Sequence, residues 1–406
     1  MQGHEDIIVG LDIGTSKICA VVGEVAGGDI NIIGIGTHPS TGLRKGIVVD
    51  IDATVDSIRK AVEEAELMAG CEIRNVYVGI AGGHITGFNS HGIIAIKGQE
   101  ITQQDVARVI EAARAVAIPV DREVIHVLPQ EYIVDDEFGI QNPVGMTGVR
   151  LEAKIHIVTG AASSIHNVEK CANKAGLEIN QIIIESLASG ESVLSHEERE
   201  LGAALIDIGG GTTDLAIFSG NNIRHTFELG LGGHNLTNDI SVGLRAPFAE
   251  SERIKIEYGT CIAGSIRGDE TIEIPGMAGR EPRKLSKQIL GEILEPRVEE
   301  IFTLTKRELY QAGMENAISA GVVISGGTAL LDGITEIAES IYGVPARMGS
   351  PCGIGGLVDV VNNPKYATAV GLILYGVRNR SRDRFQRQTS GGGLWAAVKR
   401  WFKDVV

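Results

Sequence analysis

Two aspartates 195 positions apart, Asp12 and Asp207, each close an apolar run and open a turn of small residues. The first turn reads Asp12-Ile13-Gly14-Thr15-Ser16-Lys17, the second Asp207-Ile208-Gly209-Gly210-Gly211-Thr212-Thr213-Asp214. A turn of glycine, threonine and serine presents backbone N–H groups without side-chain obstruction, and its hydroxyls add donors for phosphate oxygens. Two such turns facing one another can hold a polyphosphate. A carboxylate ending the strand before each turn suits Mg2+, a hard cation held through its own waters, and Lys17 can set a positive charge against the phosphates. A single Asp-Ile-Gly-Thr turn is more often an ordinary hairpin. Two copies at equivalent places change that reading, because each then supplies half of one site.

The repeat extends beyond the turns, and it sets the architecture. After each turn comes a β-rich run (18–22 and 215–218), then a third apolar run (30–35 and 223–229), and later a strand ending in paired glycines (76–83 and 322–327). Helical patterns lie between; in 53–69 the residues Val55, Ile58, Val62, Ala65 and Met68 recur at helical spacing. Two α/β lobes of related topology follow, with a cleft between them. Inserted material makes the halves unequal. Residues 84–157 carry strands of their own (92–96 and 154–158) and a helix near 103–116, and 235–316 is mainly helical, with a helix at 286–294 expected to break at Pro296 and to continue toward Tyr310. The expected division is 1–83 with 158–200 for the core of lobe 1, 84–157 for an inserted subdomain, 201–234 with 317–377 for the core of lobe 2, and 235–316 for its smaller subdomain.

Composition narrows the function classes. The chain has 406 residues, a net charge of −15 and 43% hydrophobic content. An acidic surface excludes broad coating of nucleic-acid phosphates, so no nucleic-acid partner is expected. Five scattered cysteines form no CxxC pair, which argues against a disulfide scaffold or zinc site. The first residues lack the basic and long apolar regions of a signal peptide, and the longest nearly apolar stretch, 367–377, is too short to span a bilayer, so a cytoplasmic location is expected.

The average charge conceals a reversal at the end. From Arg378 onward eight cations meet two aspartates, leaving +6 there and −21 for the preceding 377 residues. Residues 378–393 lack hydrophobic periodicity and finish in Ser390-Gly391-Gly392-Gly393, the pattern of a flexible basic linker. In 394–406, Leu394, Trp395, Val398, Trp401, Phe402 and Val405 fall on one helical face, with Lys399, Arg400 and Lys403 on the other. A short, basic, tryptophan-bearing amphipathic helix on a glycine tether has the form required to lie in an anionic membrane interface.

These residues resemble a known superfamily. The two Asp-Ile-Gly turns and Ile324-Ser325-Gly326-Gly327-Thr328-Ala329 are similar to the phosphate 1, phosphate 2 and adenosine motifs of the actin, sugar-kinase and heat-shock-chaperone group, and 184–190 is similar to its first connecting motif. Within it the chain resembles the FtsA family of bacterial actin-like cell-division proteins over nearly its whole length, including 127–132, 142–150, 229–239 and 295–297. The 84–157 insertion looks like that family's 1C subdomain, which stands where actin has 1B.

The resemblance implies an α/β, actin-like (ribonuclease H-like) duplicated two-lobe fold, with lobes 1A and 2A, inserted 1C, subdomain 2B and a C-terminal amphipathic helix. It implies ATP with Mg2+ as cofactors. Asp12 and Asp207 would hold the metal through water. Nucleotide would be bound by Gly14, Thr15, Ser16, Lys17, Gly209, Gly210, Gly211, Thr212, Thr213, Gly232, Gly233, Glu252 and Lys255 at the ribose, and Gly326, Gly327, Thr328 and Ala329 at the adenine. Glu185 is the candidate for positioning a water by its place in the connecting motif, a buried or capping glutamate being the other reading, so the expectation is ATP binding with slow or regulatory hydrolysis and a role mainly of assembly. The implied partners are the carboxy-terminal tail of FtsZ, further copies of the chain, later division proteins at 1C, and the anionic inner membrane, on its cytoplasmic side at the division site. Arg283 and Arg297 would lie where partners meet 2B. The competing readings are a pilus-assembly actin-like platform, a sugar-kinase-type phosphotransferase and a chaperone ATPase.

Overall fold

The computed structural model describes residues 7–267, 270–274 and 282–389, with 381–389 as helix backbone. Lobe 1 starts with β1 (Ile7–Ile13), β2 (Lys17–Ala26) and β3 (Asp29–Pro39), an antiparallel meander in which Ile13 pairs with Ile18 across the first turn. The small hairpin of β4 (Leu43–Arg44) and β5 (Ile47–Val48) leads to α1 (Ile51–Ala69), capped by the Asp50 carboxylate and ended by Gly70 at φ 67°. Its buried face holds Val55, Ile58, Val62 and Ala65; Met68, expected with them, is exposed in the last turn. The helix lies on β3 so closely that a Cβ on Gly36 would stand 1.9 Å from the Ala61 carbonyl oxygen. Then β6 (Asn75–Ile80) returns parallel to β1. Flanked on both edges and covered on both faces, β1 is buried from Ile8 onward, which explains its unbroken apolar run.

The insertion forms its own layer. Strands β7 (Thr86–Ala95), β8 (Arg122–Val134), β9 (Glu137–Ile140) and β10 (Arg150–Ala161) make a sheet in the order β7-β10-β8-β9, with α2 (Gln103–Arg114) packed on β7 and β10. Val106, Val109, Leu151, Ile155 and Ile157 give it a separate core. Helix α3 (Ala162–Lys174) and β11 (Glu178–Ile184) complete the first pass through lobe 1, and α4 (Glu185–Val193) with α5 (His196–Leu201) crosses to lobe 2.

There β12 (Ala203–Ile208), β13 (Thr213–Ser219) and β14 (Asn222–Leu229) repeat the opening meander. Next come α6 (Gly233–Leu244), α7 (Phe248–Tyr258), the hairpin of β15 (Thr271–Ile274) and β16 (Arg283–Ser286), and α8 (Lys287–Gln311). Strand β17 (Gly321–Ser325) then lies parallel to β12 as β6 does to β1, followed by α9 (Ile334–Tyr342) and β18 (Ala346–Met348). Finally β19 (Gly355–Gly356), α10 (Val358–Val361) and α11 (Ala367–Thr389) run back to lobe 1. Among the described residues no helix is long and apolar enough to cross a membrane.

Three expectations are corrected. The stretch 317–377 does not all belong to lobe 2: β19 joins the edge of β3, and Val361, Ala367, Val370, Leu372 and Ile373 are buried in the core of lobe 1. The helix expected to break at Pro296 runs on as α8, because Pro296 and Glu292, whose carbonyl loses its partner, both face solvent. The linker expected from Arg378 is helical to Thr389, since no Gly or Pro follows Gly376 before Gly391 and Arg and Gln favour helix. The amphipathic segment 394–406 lies outside the described residues.

The inserted subdomain meets lobe 2 through polar groups. His156 on β10 is fully buried, 2.6 Å from Asn89 Oδ1 through Nδ1 and 2.8 Å from Thr226 Oγ1 of β14 through Nε2. Gln130 donates to the Ile223 and Arg224 carbonyls at 3.0 Å. Burial, then neighbouring His225, pushes the His156 imidazole down to about 3. A base whose folded pKa is depressed stabilises the fold above its ordinary range near 6.5, and that stability is lost as pH falls through the window toward 3.

Two outcomes follow. Lowering the pH from about 7.5 to about 5 should cost wild type up to about 2 kcal/mol more stability in urea unfolding than His156→Gln, which keeps hydrogen-bonding groups but cannot take up the proton; equal losses would show that His156 does not carry the effect. In α11, a Cβ on Gly371 would stand 1.8 Å from the Ala188 carbonyl oxygen of α4. Gly371→Ala should therefore destabilise by about 1–3 kcal/mol, and an unchanged urea midpoint would mean that the two helices part freely.

Candidate functional site

The two repeated turns meet face to face. The cleft between them has a volume of about 420 Å3. Backbone alone fits at their closest approach: a Cβ on Gly210 would lie 1.8 Å from Ser16 Oγ, and one on Gly211 2.7 Å from Thr15 Oγ1. Asp12, Gly14, Thr15, Ser16 and Lys17 line the cleft from lobe 1, and Asp207, Gly209, Gly210, Gly211 and Thr212 line it from lobe 2. Gly233, the first residue of the twelve-residue α6, brings a helix N-terminus to the same place. Its first N–H groups are already used, Gly233 donating to the Gly209 carbonyl at 2.9 Å and His234 to that of Gly210 at 2.8 Å, which fastens the helix to the turn; the helix dipole there favours an anion.

The far end of the cleft is built by α7 and the turn after β17. Glu252, Lys255, Ile256 and Gly259 face Gly326, Gly327, Thr328, Leu330 and Leu331, a lining that mixes a charged pair with apolar surface. Lys255 is buried, donating to the Gly233 carbonyl at 3.0 Å, Thr237 Oγ1 at 2.8 Å and Glu252 Oε2 at 2.8 Å. Read alone, Glu252 and Lys255 are a helix-surface pair; in the fold they close one wall. Burial lowers the Lys255 pKa, and Glu252 opposes the shift.

Charge is concentrated at the phosphate end. Asp12 receives Lys17 Nζ at 3.3 Å, and Asp207 Oδ2 accepts from Ser189 Oγ at 2.5 Å and Thr368 Oγ1 at 3.4 Å. Burial nevertheless pushes Asp207 up to about 6, with Asp12 adding to the shift against the Ser189 bond. Glu185, the first residue of α4, is raised by burial and by the nearby Asp12, Asp214 and Asp207. For Lys17, burial opposes the charge, but Asp12, with Cys19 and Tyr366 adding to it, more than offsets burial and raises the ammonium above its usual range.

These donors fit the expected cofactors. No group of three or more His, Cys, Asp or Glu among the described residues forms a direct metal cage. Two separated aspartates beside a phosphate cradle instead match Mg2+, which keeps most of its waters and shares substrate phosphates. Desolvated carboxylates, of which Asp12 is paired with Lys17, would gain from added positive charge.

The remaining expected residues fall elsewhere. Thr213 donates from Oγ1 to the Leu231 carbonyl, Gly232 precedes α6 with its N–H on Asn235 Oδ1, and Ala329 is buried; they shape the walls without lining them. Arg297 is engaged within the chain, with Nε 2.7 Å and Nη2 3.2 Å from the Asp239 carboxylate and a further bond to Glu300. Arg283 donates to the Leu244 carbonyl. Leu394, Trp395, Val398, Lys399, Arg400, Trp401, Phe402, Lys403 and Val405 lie outside the described residues. Sequence reasoning missed Lys365 and Thr368, which line the cleft from the approach to α11, and Glu228 and His234. His234 Nε2 lies 3.0 Å from Ser16 Oγ across the lobes; its place directly after Gly232-Gly233 was the available signal.

Comparison with known proteins agrees with this geometry. A family model described as "Cell division protein FtsA" matches residues 204–371, and one described as "SHS2 domain inserted in FTSA" matches 82–159. The chain is 51% identical to the cell division protein FtsA of Pseudomonas aeruginosa, over 95% of this chain and 92% of that one. It is 41% identical to that of Escherichia coli K12, over 96% and 95%. Among solved structures, the PilM-PilN type IV pilus biogenesis complex superposes with a TM-score of 0.66 at 18% identity, covering 91% of this chain and 98% of that one. MreB5 of Spiroplasma citri bound to ADP gives 0.59 at 16% identity, covering 94% and 99%. The fold is thus actin-like with an inserted SHS2 subdomain, and by its near full-length identity to these relatives the chain belongs to the FtsA family of cell division proteins.

Proposed function

We propose that this cell division protein binds Mg2+ and ATP between its two glycine turns and uses the bound nucleotide to control assembly. The observation that carries this is the meeting of the bare backbone of Gly210 and Gly211 with the hydroxyls of Ser16 and Thr15, beside the N-terminus of α6. Asp12 and Asp207 would hold the metal's waters, Lys17 the phosphates, Glu252 and Lys255 the ribose, and Gly326, Gly327 and Thr328 the base. Mg2+ would neutralise phosphate charge. Glu185, whose carboxyl burial and the nearby aspartates raise above the ordinary range, is the group that would orient a water, in a hydrolysis that is slow at most.

Assembly takes place, in this reading, on the cytoplasmic face of the inner membrane. The amphipathic sequence 394–406 engages the anionic leaflet, the body forms polymers with further copies, and the inserted subdomain, matched over 82–159, receives later division proteins. The carboxy-terminal tail of FtsZ docks on the smaller subdomain of lobe 2 near Arg283 and Arg297. An acidic peptide there has to exchange with Asp239 and Glu300 for the Arg297 guanidinium, so basic attraction alone does not set its affinity.

The nucleotide site is checked by Asp12→Ala, which should weaken Mg2+-dependent ATP binding at least about tenfold through loss of the water-mediated metal contact and the Lys17 pair; wild-type affinity by calorimetry would remove the clamp. The tether is checked by sedimentation with anionic liposomes. Full-length protein should pellet and carry FtsZ with it, whereas a chain ending at Ser390 should stay in the supernatant; equal pelleting of both would sink the membrane role of 394–406.

A further inference from the structure

Ser16, in the phosphate turn of lobe 1, is met from lobe 2 by two groups. Gly210 stands so near that a Cβ on it would lie 1.8 Å from Ser16 Oγ and 3.0 Å from Ser16 Cβ. The ring of His234 is the second, with Nε2 3.0 Å from the same hydroxyl. This hydrogen bond crosses from one lobe to the other at a residue that lines the cleft.

Both partners are held in place. His234 is the second residue of α6, and its backbone N–H donates to the Gly210 carbonyl at 2.8 Å, so ring and glycine belong to one piece. The imidazole meets the Phe248 ring of α7 edge-on, with centroids 5.7 Å apart and planes at 79°, a favourable arrangement that steadies the ring plane. In lobe 1 the Ser16 carbonyl accepts the Ser40 N–H at 3.1 Å, which anchors the turn through its backbone.

The hydroxyl between them has one proton to give, and ionised phosphate oxygens only accept. If Ser16 gives that proton to His234, lone pairs alone are left for the cleft, and they repel an anion. If His234 Nε2 carries the hydrogen and donates to Ser16, the serine proton is released for the cleft. An imidazole nitrogen allows either direction, and only the second serves a polyphosphate. Bonds aligned in one sense also strengthen each other.

We infer that His234 is a positioning residue for the polyphosphate of a nucleotide: from lobe 2 it donates to Ser16 of lobe 1 and so aims the serine hydroxyl at a phosphate oxygen. The inference rests on the nucleotide reading of the cleft. It makes the hydroxyl of one turn depend on the other lobe, because parting of the lobes would draw His234 away from Ser16. Without the ring, Ser16 turns freely and its proton goes to water as readily as to phosphate.

The test is a double-mutant cycle on the full chain. Calorimetry gives the affinity for Mg2+ and ATP of wild type, His234→Ala, Ser16→Ala and the chain with both substitutions, and of His234→Gln, which keeps a side-chain N–H at a similar reach; melting curves check that each is folded. His234→Ala should bind about fivefold more weakly, the worth of a neutral hydrogen bond, and Ser16→Ala about tenfold more weakly, since its bond is to a charged group. Because His234 acts through Ser16, the doubly substituted chain should bind no more weakly than Ser16→Ala. His234→Gln should recover most of the affinity lost in His234→Ala. Losses that multiply to about fiftyfold in the double substitution, full affinity in His234→Ala, or a His234→Gln as weak as His234→Ala each overturn the inference and leave the cleft reading intact. Absence of ATP binding by wild type overturns both.

Discussion

Too many carboxyl groups with too little positive charge is the condition under which this molecule holds its two lobes together. Asp12, Glu185, Asp207, Asp214 and Glu228 converge from both lobes and the connecting helix, and Lys17 is the cation that bonds to one of them. Removing an ionised carboxylate from water costs several kcal/mol unless it is paired or protonated. The fold meets that cost with hydroxyl donors from Ser189 and Thr368, with the raised proton affinity that burial gives Asp207 and Glu228, and with a glycine cradle that leaves room for a metal and phosphates. The rest of the structure serves this junction: the repeated meanders bring the two aspartates opposite one another, α4 contributes both Glu185 and Ser189, and α11 begins where Thr368 reaches Asp207.

What the sequence made legible was whatever is local or repeated. The turns at Asp12 and Asp207 announce themselves because strand, glycine and hydroxyl follow within six residues, and the second copy gives the first its meaning. The inserted subdomain shows as an interruption of the repeat. What stayed hidden depends on register and on distant packing. Glu228 reaches the site only because β14 pairs with β13 so that it falls opposite Asp214, fourteen positions earlier. Arg297 looks like a free basic group until α8 is laid beside α6 and Asp239 meets it. Pro296 reads as a break because a sequence does not reveal that the carbonyl it abandons is on the wet side of the helix.

The lobe boundary teaches the same lesson in a different way. Residues after β18 read as the end of lobe 2, yet the chain returns, and α11 packs its apolar side against α4 and β1. Gly10 and Gly371 permit that return: a side chain on Gly10 would strike the Ala369 carbonyl oxygen at 2.4 Å. Lobe 1 is therefore completed by residues that come after lobe 2 in the sequence, whereas the core of lobe 2 is drawn from 204–346 alone.

Helix α11 starts beside the phosphate end of the cleft, with Thr368, and continues without interruption to Thr389. At about 1.5 Å per residue its 23 residues form a rod of roughly 34 Å. A rod converts rotation at its base into translation at its tip: tilting it by about 5° would move the far end by about 3 Å over that length. A tilting movement of α11 too small to notice among the cleft side chains is therefore several times larger at Thr389, the last described residue of the helix.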